Sequence, residues 1–270
     1  MVMWALNSIW SPMRTALQIQ QSVIFAFFIR ELRTRFGHGR LGYFWIIISP
    51  MLQIVSITLL FSAVGKRILP GIDLPLFLIT GIFPFFFFRD VASRSAGAIE
   101  GNKDLLAYRF VQPLDNIWAR VLLELLIFVV VFAVFLIGCA WLGYRVLPWN
   151  PLQVMLAYVA LFVFSIGYGM VTGVVTGLYP TAGKILPLIN RPLVFISGIY
   201  IPLITVPQEH REWLLWNPIL NALELARENY FQNFRPAGAS WWYLCFSSAL
   251  MLLIGLAVYA TSRTKLLEND

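Results

Sequence analysis

The residues at positions 83–88 read Phe-Pro-Phe-Phe-Phe-Phe and run directly into Arg89, Asp90 and Arg94. Aromatic rings stack on the C–H faces of sugars, and guanidinium groups bind carboxylates or phosphates through paired hydrogen bonds. The pattern therefore predicts a path for an acidic glycan, with Phe85, Phe88, Arg89 and Arg94 as candidate contacts. Phenylalanine is also an ordinary lipid-facing residue, so a purely structural interpretation stays open.

A second basic pair, Lys184 and Arg191, flanks Pro187. Its position beside another apolar segment makes Lys184 a further candidate for the path. The alternative is that both residues only fix the orientation of the chain in a membrane.

Several kinds of chemistry are excluded by the residues at hand. The candidate P-loops at Gly65-Lys66-Arg67 and Gly183-Lys184-Ile185 lack the Ser or Thr that must follow the lysine. The two histidines, His38 and His210, fall on opposite sides of the predicted membrane, which excludes a histidine-based metal site. We therefore expect neither a nucleotide site nor a metal in this chain.

Glu124 is the one acid inside a long uncharged segment. An intramembrane carboxylate is a functional candidate, but Arg120 lies one helical turn away. We favour an ion pair between Glu124 and Arg120 at the end of the helix. With so few buried acids and histidines, an enzyme and a proton-coupled carrier are both disfavoured.

Composition assigns the elements that hold these residues to a membrane. The chain has 270 residues, 59% hydrophobic and 12% charged, with a mean hydropathy of +0.76, whereas soluble domains carry about 25% charged residues. This predicts an all-α membrane protein in one domain, residues 1–270. Six spans are predicted at about 42–64, 72–88, 117–142, 152–178, 185–204 and 241–259. The fifth is expected to be a kinked helix, because three prolines interrupt it.

The net charge of +7 is explained by topology. Fourteen of the 20 Lys and Arg fall in the predicted loops on one side of the membrane and six on the other. The positive-inside rule then places both termini in the cytoplasm. A nucleic-acid partner is not expected.

Three further segments are too short or too polar to cross a membrane. Residues about 12–37 read as an amphipathic helix at the membrane surface, with arginines towards lipid phosphates. Residues 102–109 read as a short exposed helix that could dock a soluble partner, with Asp115 capping the next span. Residues 207–230 read as two short helices, the second capped by Asn217, at the interface or as a re-entrant pair. Simple anchoring, or a solvated loop, is the alternative for each.

Several motifs resemble those of bacterial capsular-polysaccharide export permeases. Residues 28–37 read FIRELRTRFG and 40–45 RLGYFW, like the opening signature of that family. Residues 97–102 (GAIEGN), 108–109 (YR) and 112–115 (QPLD) resemble its first cytoplasmic loop, and 122–124 (LLE) the start of its third span. Residues 214–218 (LLWNP) and 224–228 (ELARE) resemble its last external loop.

The resemblance implies a half-transporter of the type-two ABC exporter fold in the bacterial inner membrane. Two copies would pair above two copies of a separate ATPase that binds ATP and Mg²⁺, and a periplasmic adaptor or co-polymerase would receive the polymer. The substrate would be a lipid-linked, acidic polysaccharide. An interface helix would precede the first span, a coupling helix would contact the ATPase, and a re-entrant pair would line the periplasmic exit.

The same resemblance assigns residues to these parts. Further substrate-path candidates are Arg30, Arg33, Arg40, Tyr43 and Trp45. ATPase-coupling candidates are Glu100, Asn102, Lys103, Asp104, Tyr108 and Arg109. Periplasmic-gate candidates are Trp213, Trp216, Asn217, Glu224 and Arg227. The alternatives are a permease of this type for O-antigen or another lipid-linked or small substrate, and, less favoured, a membrane glycosyltransferase.

Overall fold

The computed structural model describes residues 16–36, 41–63, 71–99, 101 and 111–268. Within these ranges the chain forms nine α-helices and no strand, which confirms the predicted all-α class. The helices are α1 (Ala16–Phe36), α2 (Leu41–Ala63), α3 (Leu74–Ala96), α4 (Pro113–Trp141), α5 (Pro151–Leu178), α6 (Ala182–Ile196), α7 (Gln208–Leu215), α8 (Pro218–Tyr230) and α9 (Trp241–Glu268). A 3-10 turn, Leu203–Thr205, precedes α7.

Five of these helices, α2, α3, α4, α5 and α9, are long and apolar enough to cross a membrane. They correspond to five of the six predicted spans. We call the end of the bundle where α3 ends and α4 begins the loop end, because residues 97–112 join the two helices there.

The helix expected over 185–204 ends early. α6 stops at Ile196 after 15 residues, about 22 Å of helix. The chain then turns at Gly198, whose φ of +66° suits a residue without a Cβ. The prediction of one kinked helix is therefore wrong in extent, because the turn at Gly198 ends the helix.

Side-chain hydrogen bonds fix the direction of α5 against α3. Tyr158, early in α5, donates to the Thr80 carbonyl early in α3 at 3.0 Å. Thr172, late in α5, donates to the Ala92 carbonyl late in α3 at 3.2 Å. The two helices therefore run in the same direction, and both end at the loop end.

Glycines let α9 lie directly on α5. A Cβ added to Gly167 would lie 2.5 Å from the Met251 backbone, and one added to Gly255 would lie 2.7 Å from the Gly167 carbonyl oxygen. Further along, Gly177 lies against Leu266. Small residues allow helices to approach closely in membranes, where hydrophobic association is weak. This contact also makes α9 parallel to α5.

The start of α4 differs from the prediction in one detail. Gln112 is the N-cap, and Asp115 is the third residue of the helix. The Asp115 carboxylate accepts a hydrogen bond from the Gln112 backbone N–H at 2.9 Å, which forms a capping box. The predicted role of Asp115 as the cap was therefore placed three residues too late, because the helix already begins at Pro113.

The two short helices after α6 lie where the sequence placed them, as α7 and α8. Asn217 caps α8 as predicted, because its side-chain oxygen accepts from the Ile219 N–H at 3.0 Å. Its amide donates to the Ser197 hydroxyl at 2.9 Å, which joins the cap to the turn after α6.

Candidate functional site

A cavity of about 410 Å³ opens between α2, α3 and α4 beside the last turn of α1. Its lining combines aromatic rings, three arginines and two acids. The lining residues are Arg35, Trp45, Ile46, Ser49, Pro50, Phe83, Phe86, Phe87, Arg89, Asp90, Arg94, Glu124, Ile127, Phe128 and Val131. We call it the arginine cavity.

Helical spacing decides which phenylalanines of α3 reach this cavity. Phe83, Phe86 and Phe87 lie on the same face as Asp90 and Arg94, at intervals of three or four residues. The remaining two aromatic residues of the run point away from it.

Phe85 and Phe88 are completely buried in the helical core. Phe88 packs against Tyr168 of α5 with ring centroids 5.2 Å apart. Neither lines the arginine cavity, although Phe85 and Phe88 are the two phenylalanines that the sequence predicted for the path. The reason is that four consecutive phenylalanines cover every face of α3, so the sequence does not show which face borders the cavity.

The buried carboxylate of Glu124 is the centre of the charged lining. Its Oε1 lies 2.5 Å from Arg35 Nη1 of α1 and 2.6 Å from Arg94 Nε of α3. The Glu124 side chain is 3% exposed, whereas those of Arg35 and Arg94 are 14% and 37% exposed. One carboxylate thus joins three helices at the loop end.

The expected ion pair between Glu124 and Arg120 does not form. Arg120 Nε instead lies 3.4 Å from Glu31 Oε2 of α1, and Arg120 also donates to the backbone carbonyl of Arg94. Both arginines that reach Glu124 come from other helices. Tertiary contacts have therefore replaced the pairing that spacing along α4 suggested.

Arg35 was present in the sequence motif but was not assigned to the site. A periodic signal could have found it, because Gln20, Phe27, Glu31 and Arg35 fall at intervals of seven, four and four residues. That stripe packs on α4: the Gln20 amide donates to Asp115 at 3.2 Å, and Phe27 is buried. Intervals of this kind mark one face of a helix.

The other candidate arginines of α1, Arg30 and Arg33, lie exposed on α1 outside the cavity lining. Trp45, another path candidate, lines the cavity, and Tyr43 lies in the first turn of α2. Candidates that fall outside the described residues are Arg40, Glu100, Asn102, Lys103, Asp104, Tyr108 and Arg109.

A second cavity of about 330 Å³ separates α3 from α6 and shares Arg89 and Asp90 with the first. Asn190 and Arg191 contribute polar groups from α6, and Asn190 accepts a hydrogen bond from the Tyr168 hydroxyl at 3.0 Å. Lys184 is exposed and is not part of this lining. Of the basic pair that flanks Pro187, Arg191 lines this cavity and Lys184 does not.

Arg89 lies at the junction of the two cavities. Its guanidinium carbon is 4.1 Å from the centre of the Phe86 ring, and its Nη2 is 2.9 Å from Asp90 Oδ1. The ring and the cation can therefore contact one ligand together. Across the described residues, no group of three His, Cys, Asp or Glu side chains is arranged to hold a metal ion.

The gate candidates at α7 and α8 divide into two kinds. Trp213 and Trp216 are exposed, as side chains at a membrane interface are. Glu224 and Arg227 are fully buried in the interior and do not face an exit. Asn217 serves as the helix cap described above.

Arg227 fastens α8 to the turn after α6. Its guanidinium donates to the carbonyls of Gly198 at 2.6 Å and Ile199 at 2.7 Å, and stacks 3.7 Å from the centre of the Phe77 ring. Burial lowers the pKa of Arg227 to about 10, so the group stays charged at neutral pH. A Cβ at Gly81 would lie 2.2 Å from this guanidinium, so glycine leaves the room that Arg227 occupies. The contacts make Arg227 a structural residue.

Comparisons with known proteins place the chain in a family. The family described as ABC-2 type transporter matches residues 22–231. The chain is 39% identical over 256 residues to the polysialic acid transport protein KpsM of Escherichia coli, covering 95% of this chain and 99% of that protein. It is 27% identical over 245 residues to the capsule polysaccharide export inner-membrane protein CtrC of Neisseria meningitidis, covering 91% and 92%. It is 23% identical over 247 residues to the O-antigen export system permease protein RfbA of Myxococcus xanthus, covering 89% and 92%. The resemblance seen in the motifs is thereby confirmed, and the chain belongs to the ABC-2 type transporter family.

Proposed function

We propose that this chain is the transmembrane subunit of an ATP-driven exporter that moves a lipid-linked, acidic capsular polysaccharide from the cytoplasm to the periplasm. The observation that carries the proposal is the arginine cavity, where aromatic rings and guanidinium groups share one surface at the loop end. The full-length similarity to a polysialic acid transport protein supports an acidic polymer as substrate.

The cavity lining suits movement of a polymer better than tight binding. Rings such as Phe86 and Trp45 offer weak stacking contacts to any sugar, so successive residues of a chain can replace one another. Arg89 and Arg94 attract acidic groups, while Asp90 and Glu124 offset most of the positive charge. A path with many weak contacts does not hold the polymer in one place.

The partners follow from the same proposal. A second copy of the chain completes the channel, and two ATPase subunits dock beneath the segment 102–109 and hydrolyse ATP with Mg²⁺. A periplasmic adaptor or co-polymerase receives the polymer. Residues 1–41 and 262–270 lie in the cytoplasm, α1 contacts the membrane surface and its lipids, and α7 with α8 forms a re-entrant pair at the periplasmic exit.

Deletion of the gene for this chain in its own host tests the proposal. We expect the surface polymer to disappear and to accumulate inside the cell, because synthesis continues while export stops. Re-expression of the chain should restore the surface polymer. Expression of a chain without α1, the negative control, should not restore it. Surface polymer that persists in the deletion strain would refute the assignment.

The O-antigen alternative is supported by the similarity to RfbA. The same deletion strain separates the two. Loss of the O-antigen ladder on lipopolysaccharide gels, with the capsule unchanged, would support that alternative. Loss of capsule with an intact ladder supports the capsular substrate.

A further inference from the structure

Two arginines of the cavity lining, Arg35 and Arg94, share the carboxylate of Glu124. Arg35 and Arg94 come from different helices, yet both approach the same oxygen of Glu124 at 2.5 and 2.6 Å. The other acids near them are already paired, Asp90 with Arg89 and Glu31 with Arg120. Glu124 is thus the acid that both guanidinium groups share.

Exposure differs sharply between the partners. Glu124 is 3% exposed and fixed within α4, whereas Arg94 is 37% exposed and lies on the cavity wall. A long, flexible arginine side chain can turn from a buried carboxylate to one in the cavity without a backbone shift. The carboxylate of an acidic sugar, or a phosphate, presents the same oxygen geometry as Glu124.

We propose that Arg35 and Arg94 form an oxyanion-binding site of the transport path, which Glu124 fills in this conformation and from which a carboxylate or phosphate of the polymer displaces it. The inference rests on the proposed function and names the group of the substrate that the site takes. Competition with Glu124 weakens binding, so the anion is held long enough to orient the polymer and is then released.

Equilibrium binding to the full chain in lipid nanodiscs tests this site. The first probe is a fluorescent hexamer of sialic acid, and its carboxyl-reduced, neutral form is the control ligand. The second probe is dihexanoyl phosphatidic acid, a soluble lipid phosphate. The key variant is Glu124→Gln, and Glu31→Gln is the matched control because it removes an acid from an ion pair outside the cavity lining.

The expected result is that Glu124→Gln binds one of the two anionic probes about tenfold more tightly than the unmodified chain, since the competing charged hydrogen bonds are gone. Tighter binding of the hexamer identifies a sugar carboxylate as the ligand, and tighter binding of the lipid phosphate identifies a phosphate at the lipid-linked end of the polymer. Glu31→Gln should change the affinity for either anionic probe by less than about twofold, because Glu31 lies outside the cavity lining. The affinity for the neutral hexamer should change equally little in Glu124→Gln, because that ligand carries no carboxylate. Adding Arg94→Gln to Glu124→Gln should abolish the gain.

Unchanged or weaker binding of both probes by Glu124→Gln would overturn the proposal, because Glu124 would then only position the arginines. If Glu124→Gln fails to accumulate, Glu124→Asp replaces it. The shorter side chain withdraws the carboxylate by one methylene, so a smaller gain is expected, and binding equal to the unmodified chain overturns the proposal.

The result is separable from the test of the proposed function. If deletion of the gene removes the capsule and Glu124→Gln leaves binding unchanged, export stands and the displacement of Glu124 is refuted. If deletion leaves the capsule intact, the export function itself is refuted, whatever the binding result.

Discussion

Arg89 belongs to both cavities, and its charge is the feature that an acidic polymer would meet in each. We predict that Arg89→Glu reduces surface polymer at least about tenfold, because it replaces attraction by repulsion beside Asp90. The measurement is the ratio of surface to intracellular polymer at equal protein level. Arg145→Glu is the matched control, since Arg145 is exposed in the loop between α4 and α5 and lies outside both linings. Equal loss in both variants would argue against a role in the path.

Phe86 and Phe85 are neighbours with opposite surroundings. Phe86 lines the arginine cavity, and Phe85 is fully buried. We predict that Phe86→Ala lowers polymer export while the protein accumulates normally, and that Phe85→Ala destabilises the fold by about 3–5 kcal/mol through a core cavity. Export assays and thermal unfolding in detergent, run on both variants, distinguish the two roles. Similar unfolding temperatures for the pair would contradict the assignment of faces.

At the residue level, the sequence identified the chemistry but only part of the site. Arg89 and Arg94 were predicted because an aromatic run that meets arginines is visible in one dimension, and Trp45 was assigned by the family resemblance. All three line the cavity. Arg35 and Glu124 were not assigned to it, since their proximity depends on how α1 lies against α4. The burial of Glu224 and Arg227 was equally hidden, because an exposed gate and a set of buried polar side chains can have the same residue types.

Gly167 is the glycine of α5 that lies closest to the α9 backbone. A Cβ on Gly167 would lie 2.5 Å from the backbone of Met251, which cannot move without shifting α9. We predict that Gly167→Ala destabilises the protein by about 1–3 kcal/mol, the range of overpacking. Thermal unfolding of the purified chain in detergent measures the change.

Gly138→Ala is the matched control for that substitution. It adds the same methyl group to α4, where a Cβ would meet no atom within 4 Å. Helix propensity favours alanine over glycine by about 1 kcal/mol, so this variant should be neutral or more stable. Equal destabilisation of both variants would show that the loss of a glycine, and not the contact with α9, is responsible.

The helices themselves were largely predictable from the sequence. The apolar segments gave α2, α3, α4, α5 and α9, and the Asn217-Pro218 pair gave the start of α8. The fifth predicted span was the exception, because hydropathy continues through Gly198 while the backbone does not remain helical. Hydropathy reports which residues are apolar, and it does not depend on the φ angle of a glycine.

For the whole molecule, the directions of the helices are the observation on which the proposed sixth crossing depends. α5 and α9 run parallel, so the chain between them must return to the opposite end of the bundle. Gly183 lines a cavity with Ala96 at the end of α3, whereas the carbonyl of Ile199 faces Gly81 near its start. Residues 182–199 thus cover most of the length of α3, which supports the sixth crossing that the sequence predicted.

A labelling experiment tests this topology directly. In a chain with Cys139 and Cys245 replaced by alanine, single cysteines are introduced at two exposed positions. Gln232→Cys lies before the start of α9, and Thr264→Cys lies near its end. In spheroplasts we expect a membrane-impermeant maleimide to label position 232 at once, and position 264 only after the inner membrane is opened with detergent. Six crossings with both termini in the cytoplasm require this order, since α9 then carries the chain back inside. Immediate labelling at 264 would instead place the end of α9 outside, and the arginine cavity at the loop end would then face the periplasm, the wrong side to receive a polymer made in the cytoplasm.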